Sequence, residues 1–456
     1  MISALLFVFF LVSVFYKDRK NVKRESILLL RRTKRGRRFI IWLGRRFSGF
    51  WKIVGTIGVL VGFYFSFWIF YMLFAQTHML LSGEIKAGPG VLIPSFSQEA
   101  VAGPGFYAVP FWYWIITIAV LVVVHEGFHG IIAASERVKI KSLGWGLLAV
   151  IPLAFVEPDE RQLKKKRSWT QLRVFAAGSF SNFITAGASF IILTSLASTI
   201  YVPSGVGYTA LIKGYPAERV NLTGVITGIN NYTVRSVDDL HHVLMEIGPD
   251  KNITVYTVNG SDNLSFFMNT QAKPEPVFIP NQYTRALIYV ECMFPGTLDF
   301  SREASHVFGF VSGTEKERDR DAVMSEISFW KYVKENCDTL SWRAETEIKS
   351  LEEELSEYPE QGFIGIAGVE NTLLVRDEYK PYKEVLGFIQ GLLFWIFFIN
   401  FAVGAFNLLP IGPLDGGRMW EIVMKKITPK RYKTIMNAAG IITVFIILLD
   451  FVLVFV

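Results

Sequence analysis

Residues 115–134 read IITIAVLVVVHEGFHGIIAA, an apolar run that contains His125, Glu126 and His129. Twenty mainly apolar residues are enough to cross a bilayer as one helix. An ionisable side chain at the centre of a membrane costs about 3 kcal/mol or more, so three in one span need a chemical reason. The stretch therefore predicts a membrane helix that carries a functional site.

The spacing of the two histidines predicts a metal site. Residues four apart share one face of a helix, so His125 and His129 can bind a single ion. Glu126 lies about 100° round the helix and can reach a water on that ion without being a ligand. The pattern His-Glu-x-x-His on a helix is typical of zinc peptidases. The alternatives are a chance match, although the chain has only six histidines, and a closed structural metal site, which leaves Glu126 without a role.

The composition indicates a membrane protein with several spans. Of the 456 residues, 51% are hydrophobic, and they occur in blocks. Residues 17–46 contain thirteen Lys or Arg against two acidic residues, within a net charge of +7. Because this segment separates two apolar stretches, the positive-inside rule predicts a cytoplasmic loop that attracts anionic lipid, and we expect no nucleic-acid partner.

Hydropathy predicts about six spans, with the N-terminus outside and an external loop over residues 78–110 whose Gly and Pro residues interrupt regular structure. The two histidines then lie toward the cytoplasmic end of their helix. The spans are predicted at residues 1–15, 53–75, 115–134, 172–197, 385–407 and 441–456.

Residues 143–156 are apolar but too short to span, and they contain Gly144, Gly146 and Pro152. The charged residues that flank them predict a hairpin that dips into the cytoplasmic side of the membrane. Non-helical backbone at that depth is tolerated only where it is buried in protein or lines a cavity. The hairpin is therefore a candidate lining of the site.

Residues 201–384 have the hydropathy of a soluble region, which the order of spans places outside. Every Asn-x-Ser/Thr glycosylation acceptor in the chain falls here, in agreement with an external location. The acceptors are Asn221, Asn231, Asn252, Asn259 and Asn263. Residues 205–270 alternate short β-branched runs with turn residues around a helical piece at 237–247, which predicts a small β-rich domain. Cys292 and Cys337, the only cysteines, either pair in an oxidising compartment or remain free thiols.

Residues 407–417 read NLLPIGPLDGG and end the fifth predicted span. Pro410 and Pro413 stop the helix, and the glycines allow a tight turn that holds Asp415 at the depth of the histidines. Alone, Pro-Leu-Asp-Gly is an ordinary turn. With an incomplete two-histidine site at the same depth, we expect Asp415 to be the third ligand.

Two further polar positions lie in predicted spans. Asn182, in AGSFSNF at residues 177–183, either packs against a neighbouring helix or supports the active site, and the small residues around it favour close helix packing. Asp450 lies near the outer end of the last span, so we expect its carboxylate to extend to the interface.

These motifs resemble those of the site-2 protease family of intramembrane zinc metalloproteases. The matching stretches are HEGFH at residues 125–129, NLLPIGPLDG at 407–416 and GSFSN at 178–182, which looks like the family's Gly-x-x-x-Asn. Residues 214–231 are similar to the PDZ-like module that many members insert. The chain departs from the family at Ser179, where a proline often follows the glycine, and at Thr223-Gly224, where the module commonly has Gly-Asp.

The resemblance implies a polytopic α-helical membrane protein of about six spans with an inserted extracytosolic β-rich PDZ-like domain. The predicted divisions are an N-terminal pair of spans (1–75), an external loop (76–110), the first half of the protease core with the metal helix and a re-entrant hairpin (111–200), the PDZ-like domain (201–272), an extracytosolic insertion (273–384) and the second half of the core (385–456).

The resemblance also implies a zinc-dependent intramembrane endopeptidase with its active site toward the cytoplasm. One Zn²⁺ per active site would be bound by His125, His129 and Asp415, with Glu126 as the catalytic general base. A non-catalytic metal-binding membrane receptor or transporter is the alternative, and so is an unrelated membrane zinc protease with a glutamate ligand on a distant helix.

For the substrate, the resemblance implies single-span membrane proteins that are cleaved within the bilayer after external trimming. Asn407, and as a second candidate Asn182, would contact the substrate backbone or the oxyanion. The edge strand of the hairpin would hold the substrate in extended form, and the PDZ-like domain would select substrates by size.

Overall fold

The computed structural model of the chain describes most residues from 36 onward. Of the predicted first span, residues 1–15, it describes Ser13 alone, so that span lies outside the described residues. The described residues are 13, 16–17, 22–25, 28–33, 36–82, 90–96, 101–103, 105–148, 151–260, 262–274, 288–289, 292–293, 320–358 and 360–455.

The chain forms two compact units, Met1–Ile200 with Tyr379–Val456 and Tyr201–Glu378. The helices are α1 (Arg37–Arg46), α2 (Ser48–Leu81), α3 (Phe111–Ser135), α4 (Glu160–Lys164), α5 (Ser168–Ile200), α6 (Pro216–Arg219), α7 (Val237–Ile247), α8 (Arg320–Asn336), α9 (Ser341–Leu355), α10 (Lys383–Phe406), α11 (Asp415–Ile427) and α12 (Tyr432–Leu453), with 3₁₀ turns at Asp338–Leu340 and Asp377–Tyr382.

The strands are β1 (Val22–Glu25), β2 (Leu28–Thr33), β3 (Val91–Ser95), β4 (Val101–Gly103), β5 (Phe106–Pro110), β6 (Ile140–Leu148), β7 (Ile151–Pro158), β8 (Tyr201–Gly207), β9 (Ala210–Leu211), β10 (Val225–Ile229), β11 (Tyr232–Thr233), β12 (Asn252–Asn259), β13 (Asp262–Asn269), β14 (Gln271–Ala272), β15 (Gly362–Phe363), β16 (Ile366–Ala367) and β17 (Glu370–Val375).

Within the described residues, five helices are long and apolar enough to cross a membrane: α2, α3, α5, α10 together with the turn before it, and α12. Large apolar side chains such as Ile53, Leu60 and Phe67 of α2 face outward, as expected where lipid surrounds a helix. The prediction of a multi-span membrane protein is confirmed, whereas the count of six spans stays a prediction.

Helix α5 lies at the centre of the first unit, in contact with α2, α3, α10 and α11. Small residues bring the helices close together. A Cβ at Gly58 of α2 would lie 3.0 Å from the Phe180 ring of α5, and one at Gly404 of α10 would lie 3.2 Å from Cβ of Asn182. Such close approach is typical of membrane helices, whose association depends on packing and not on the exclusion of water.

The hairpin predicted at residues 143–156 is present as the antiparallel pair β6 and β7, with Leu143 opposite Val156 and Leu148 opposite Ile151. The strands extend beyond the predicted bounds on both sides. β7 ends the sheet in the described part of the chain and contacts α3. The hairpin therefore places an edge strand beside the helix that carries the histidines.

Part of the basic segment predicted as a loop is ordered as strands and a helix. β2 pairs with β6, with Leu28 opposite Leu148 and Thr33 opposite Leu143, and β1 pairs with β2, so the sheet has the order β1-β2-β6-β7. The excess of positive charge predicts on which side of the membrane this segment lies. It does not predict the strands, because their pairing partners lie more than 100 positions away in the sequence.

Residues 78–110, predicted as an external loop without regular structure, contain strands among their described residues, contrary to the prediction. β5 pairs with both β3 and β4 in a three-stranded sheet. The glycines and prolines separate short β-branched and aromatic runs, and the runs between them pair. Gly103 and Pro110 therefore mark the ends of strands, whereas Pro94 lies within β3.

The second unit confirms the predicted β-rich region. Its main sheet has the order β13-β12-β10-β8-β17, with β11 beside β10. Val206, Ile226, Leu244 and Ile364 belong to its apolar core. Because β17 comes from the chain after residue 320, the β-rich region includes strands beyond residue 272. The division into 201–272 and 273–384 stays a prediction.

The remainder of this unit contains the helix pair α8 and α9. The two helices pack around a separate apolar core that includes Val323, Trp330 and Leu340. Cys292 and Cys337 form a disulfide, so the structure selects pairing over two free thiols.

The prediction that Asp450 extends to the interface is wrong. Its side chain is 0% exposed, and its Oδ1 accepts a hydrogen bond of 2.6 Å from the Thr77 hydroxyl of α2. A partner on an adjacent helix makes burial of this carboxylate possible, and the position of Asp450 in the sequence does not reveal that partner.

Candidate metal centre

Three side chains converge between α3 and the start of α11. The Nε2 atoms of His125 and His129 are 3.3 Å apart, and each lies 3.4 Å from Oδ2 of Asp415. They form the one group of potential metal ligands among the described residues. The two histidines are adjacent because they share a helix face, whereas Asp415 belongs to a different helix, α11.

The geometry of this group fits a zinc ion. Ligand atoms at Zn–N and Zn–O distances of about 2.0–2.1 Å around a tetrahedral centre lie about 3.3–3.4 Å apart. The three observed separations, 3.3, 3.4 and 3.4 Å, match that edge length. Two imidazoles and one carboxylate are also a donor set typical of a hydrolytic zinc site, which keeps its fourth position for water or substrate.

The loop after α10 positions Asp415. The Gly416 N–H donates to the Asn407 carbonyl over 2.8 Å, which closes the loop on itself. A Cβ at Gly416 would overlap the Leu408 carbonyl, and one at Gly417 would overlap that of Ile411. The two glycines therefore let the start of α11 pack directly on the loop, with the Asp415 side chain toward the histidines.

Ser66 of α2 forms hydrogen bonds with this loop and with the helix that follows it. The Ser66 hydroxyl donates to the Leu408 carbonyl over 2.7 Å and accepts from Nε1 of Trp420 over 2.8 Å. It is buried, at 3% exposure. Sequence reasoning missed Ser66, because a serine in an apolar span has no pattern that links it to a site more than 340 residues away.

Two small residues of α5 contact the ligands. A Cβ at Gly178 would overlap Nε2 of both histidines, and the Ser179 hydroxyl donates to Oδ2 of Asp415 over 3.4 Å. The sequence favoured helix packing for these residues, and the structure adds contact with the ligand atoms. Ser179, the departure from the family pattern, supplies a hydrogen bond that a proline lacks.

Each histidine has a partner behind it. Nδ1 of His129 lies 2.7 Å from the Val174 carbonyl, and Nδ1 of His125 lies 3.1 Å from the Asn182 side-chain amide. Such contacts set the orientation of a ligating imidazole. Of the two roles predicted for Asn182, packing and support of the site, this contact favours support, and the role stays a prediction.

Glu126 lies beside the ligand group without belonging to it. Its Oε2 accepts a hydrogen bond of 3.1 Å from the Val156 N–H of β7. The same cavity, of about 710 Å³, is lined by Glu126, the three ligand side chains and Asn407. Asn182 does not line it. The structure thus brings all the predicted site residues together, with Asn182 behind His125.

The lining of the cavity carries charges of both signs, including Arg32 and Glu157. Helix α4 borders it and begins with Asp159 as its N-cap. Hydrogen bonds from the N–H groups of Gln162 and Arg161 hold the pKa of the Asp159 carboxyl below its usual value. That carboxylate therefore remains ionised and caps α4 at neutral pH.

The fold and the site together define a polytopic membrane protein in which three side chains that could hold a metal ion line a cavity. The model of peptidase family M50 matches residues 113–448, about three quarters of the chain. The chain belongs to peptidase family M50, the site-2 protease family, as the sequence motifs predicted.

Several proteins are similar to this chain. An uncharacterized protein of Methanocaldococcus jannaschii is 27% identical over 55% of this chain and 65% of its own length. The "Membrane-bound transcription factor site-2 protease homolog" of Arabidopsis thaliana is 28% identical over 32% of this chain and 27% of its own. A Staphylococcus aureus protein named "Putative zinc metalloprotease" is 24% identical over 65% and 62%. The matches thus span less than two thirds of each relative.

Proposed function

We propose that the protein is a zinc-dependent intramembrane endopeptidase that cleaves transmembrane segments of membrane-anchored substrates. The observation that carries the proposal is the convergence of His125, His129 and Asp415 beside Glu126 on one cavity. Membership of family M50 and the names of the relatives support it. The position of Glu126 favours hydrolysis over a non-catalytic receptor or transporter, in which a base beside the metal has no task.

When bound, zinc supplies Lewis acidity that activates a water and polarises the scissile carbonyl. Glu126 takes the proton from that water and returns it to the leaving amine. The Val156 N–H holds Oε2 of Glu126, while Oε1 has no hydrogen bond with any described residue. One carboxylate oxygen is therefore fixed and the other is left for proton transfer.

The histidines would hold zinc through Nε2, because the Nε2 atoms are the ring nitrogens that lie near each other and near Oδ2 of Asp415. Their Nδ1 atoms then carry the protons, and each N–H needs an acceptor. The Val174 carbonyl is the acceptor for His129. For His125 it is Oδ1 of Asn182, which a 180° rotation of the amide brings to Nδ1; that oxygen is otherwise buried without a partner among the described residues. We therefore assign Asn182 to positioning His125 and not to the oxyanion.

Asn407 remains the candidate for contact with the substrate. It ends α10, and its side chain lines the same cavity as Glu126 and Asp415. An amide N–H at this place donates to the substrate backbone or to the developing oxyanion, where the hydrogen bond strengthens as charge develops.

The substrate binds in extended form along β7. A helix keeps its carbonyl groups in internal hydrogen bonds, so the cleaved segment must unwind and its backbone groups need new partners. β7 offers such partners, because one edge pairs with β6 while Phe155, Val156 and Glu157 line the cavity. The other edge of β6 is already paired with β2. A substrate strand that joins this sheet therefore pairs with β7.

The basic segment at residues 17–46 and the five glycosylation acceptors support a cytoplasmic active site and an extracytosolic second unit. In this arrangement the β-rich region acts as a PDZ-like domain that admits single-span substrates already trimmed outside. The substrates and the sidedness are parts of the proposal.

The test is reconstitution of the full-length chain in lipid nanodiscs with a single-span model substrate. Glu126→Gln is expected to retain one zinc per chain by elemental analysis and to cleave nothing, because only the base is lost. His125→Ala is expected to lose both zinc and cleavage. Glu384→Gln, an exposed acid at the start of α10, is the matched control and should cleave like the wild type. Cleavage by Glu126→Gln would overturn the proposal.

A further inference from the structure

Helix α1 packs against α3 with one face and exposes two large aromatic side chains on the opposite face. Its Gly44 packs on the backbone of α3 at Ile131, and Ile40 packs at Gly130. On the opposite side Phe39 is 62% exposed and Trp42 is 56% exposed, with their rings 6.1 Å apart. Two large aromatic side chains in the open are disfavoured in water, so this face requires an apolar contact.

Arginines surround these rings. Arg38, Arg45 and Arg46 are exposed and have no carboxylate partner in the described part of the chain. Together with Arg37, Ile41 and Trp42 they line a shallow cavity of about 470 Å³. Helix α1 itself contains no acidic residue. The surface thus combines an uncompensated positive charge with apolar rings.

The position of α1 identifies the partner. Helix α1 ends at Arg46, and the membrane helix α2 begins at Ser48. Because α2 is long and apolar enough to cross a membrane, we place the arginines and rings where the bilayer meets water. Phe47, between the two helices, and Phe50, in the first turn of α2, are also exposed. Tryptophan and arginine at this depth are typical of contact with lipid headgroups, with the ring at the acyl boundary and the guanidinium at the phosphate.

We propose that α1 is a binding site for anionic phospholipids, with Arg38, Arg45 and Arg46 on the headgroup phosphates and Phe39 and Trp42 inserted beside the acyl chains. This function is separate from the peptidase chemistry.

The experiment titrates the full-length protein in detergent with phosphatidylglycerol or phosphatidylcholine and counts bound lipid by native mass spectrometry. The wild type is expected to prefer phosphatidylglycerol. Each arginine near anionic lipid contributes about fivefold in affinity, so Arg38→Gln/Arg45→Gln/Arg46→Gln should weaken phosphatidylglycerol binding about 100-fold. The single variant Arg45→Gln, expected to lose about fivefold, provides the test if the triple variant fails to fold.

The matched control removes the same charge elsewhere. Lys425, Lys426 and Lys430 are exposed on and after α11, and their triple change to glutamine should leave phosphatidylglycerol binding within about threefold of the wild type. Equal losses in both triple variants would show diffuse attraction and overturn the site. Competition by inorganic phosphate at the lipid's own concentration would overturn the assignment to a lipid. Neither outcome depends on cleavage, so the proposed peptidase is tested separately.

Discussion

The Val156 N–H donates a hydrogen bond to Oε2 of Glu126 over 3.1 Å. This bond joins the edge strand β7 to the carboxylate beside the metal ligands. An extended substrate that pairs with β7 needs the outward N–H groups of that strand. Under the proposed binding mode, the substrate backbone would compete with Glu126 for the Val156 N–H, and pairing would release the carboxylate.

Removal of that acceptor should expose the Val156 amide. A hydrogen bond to a charged group contributes about 1.5–3 kcal/mol, so Glu126→Ala is expected to speed amide exchange at Val156 about tenfold or more. Glu126→Gln keeps an oxygen acceptor and should retain most of the protection. Hydrogen–deuterium exchange of the β7 peptide measures both. Equal protection in Glu126→Ala and wild type would show that the bond does not form in solution.

Gly178→Ala should disrupt the metal site, because the added methyl group overlaps the ligating nitrogens of both histidines. We expect zinc affinity to fall at least about tenfold, measured by competition with a chelator. Gly187→Ala lies on the same helix, where an added Cβ meets nothing within 4 Å, and it should bind zinc normally. Normal zinc binding by Gly178→Ala would contradict the observed approach of α5.

Asn182→Ala should weaken zinc binding about 10- to 100-fold, because His125 loses the group that orients it. Asn182→Asp retains an acceptor for the His125 N–H and should restore most of the affinity. Asn400→Ala is the control, because Asn400 is also a fully buried amide in a membrane helix but bonds only the Ile396 carbonyl within the described chain. If both alanine variants lowered zinc affinity equally, the effect would be general destabilisation.

Ser66→Ala should lower the free energy of unfolding by about 1–3 kcal/mol, because a buried carbonyl and the indole N–H of Trp420 lose their partner. Zinc affinity should fall as well, since the loop that carries Asp415 loosens. Thermal unfolding with and without zinc measures the two effects. Ser189→Ala removes the hydroxyl of another buried serine, on α5, and should leave zinc affinity unchanged. A Ser66→Ala variant that binds zinc like the wild type would refute the role of Ser66.

The residues that sequence alone could predict are those whose relation is local. His125, Glu126 and His129 are four positions apart or fewer on one helix, so helix geometry sets their arrangement wherever the helix lies. The β-rich region and the helix at 237–247 are predictable for the same reason, since β-branched runs and turn residues act within a few residues.

The exact depth of a side chain and the identity of its neighbours could be read only from the tertiary structure. Sequence could place Asp415 near the level of the histidines, but only the packing of α11 on α5 and the closure of the loop on Ser66 decide that its carboxylate lies 3.4 Å from both rings. Likewise, helix packing brings Asp450 within hydrogen-bond distance of Thr77, whereas the sequence predicted that its carboxylate extends to the interface.

The sequence by itself determined that two histidines and a glutamate lie inside an apolar helix at the spacing of a metal-binding motif, because spacing and hydropathy are properties of the chain. Tertiary structure alone decided which small residues of α5 open the space for that site and which strand of the hairpin forms its edge. The physical reason is that a contact between distant segments depends on the shapes of both of their surfaces. The local sequence of one segment carries no information about the shape of the other.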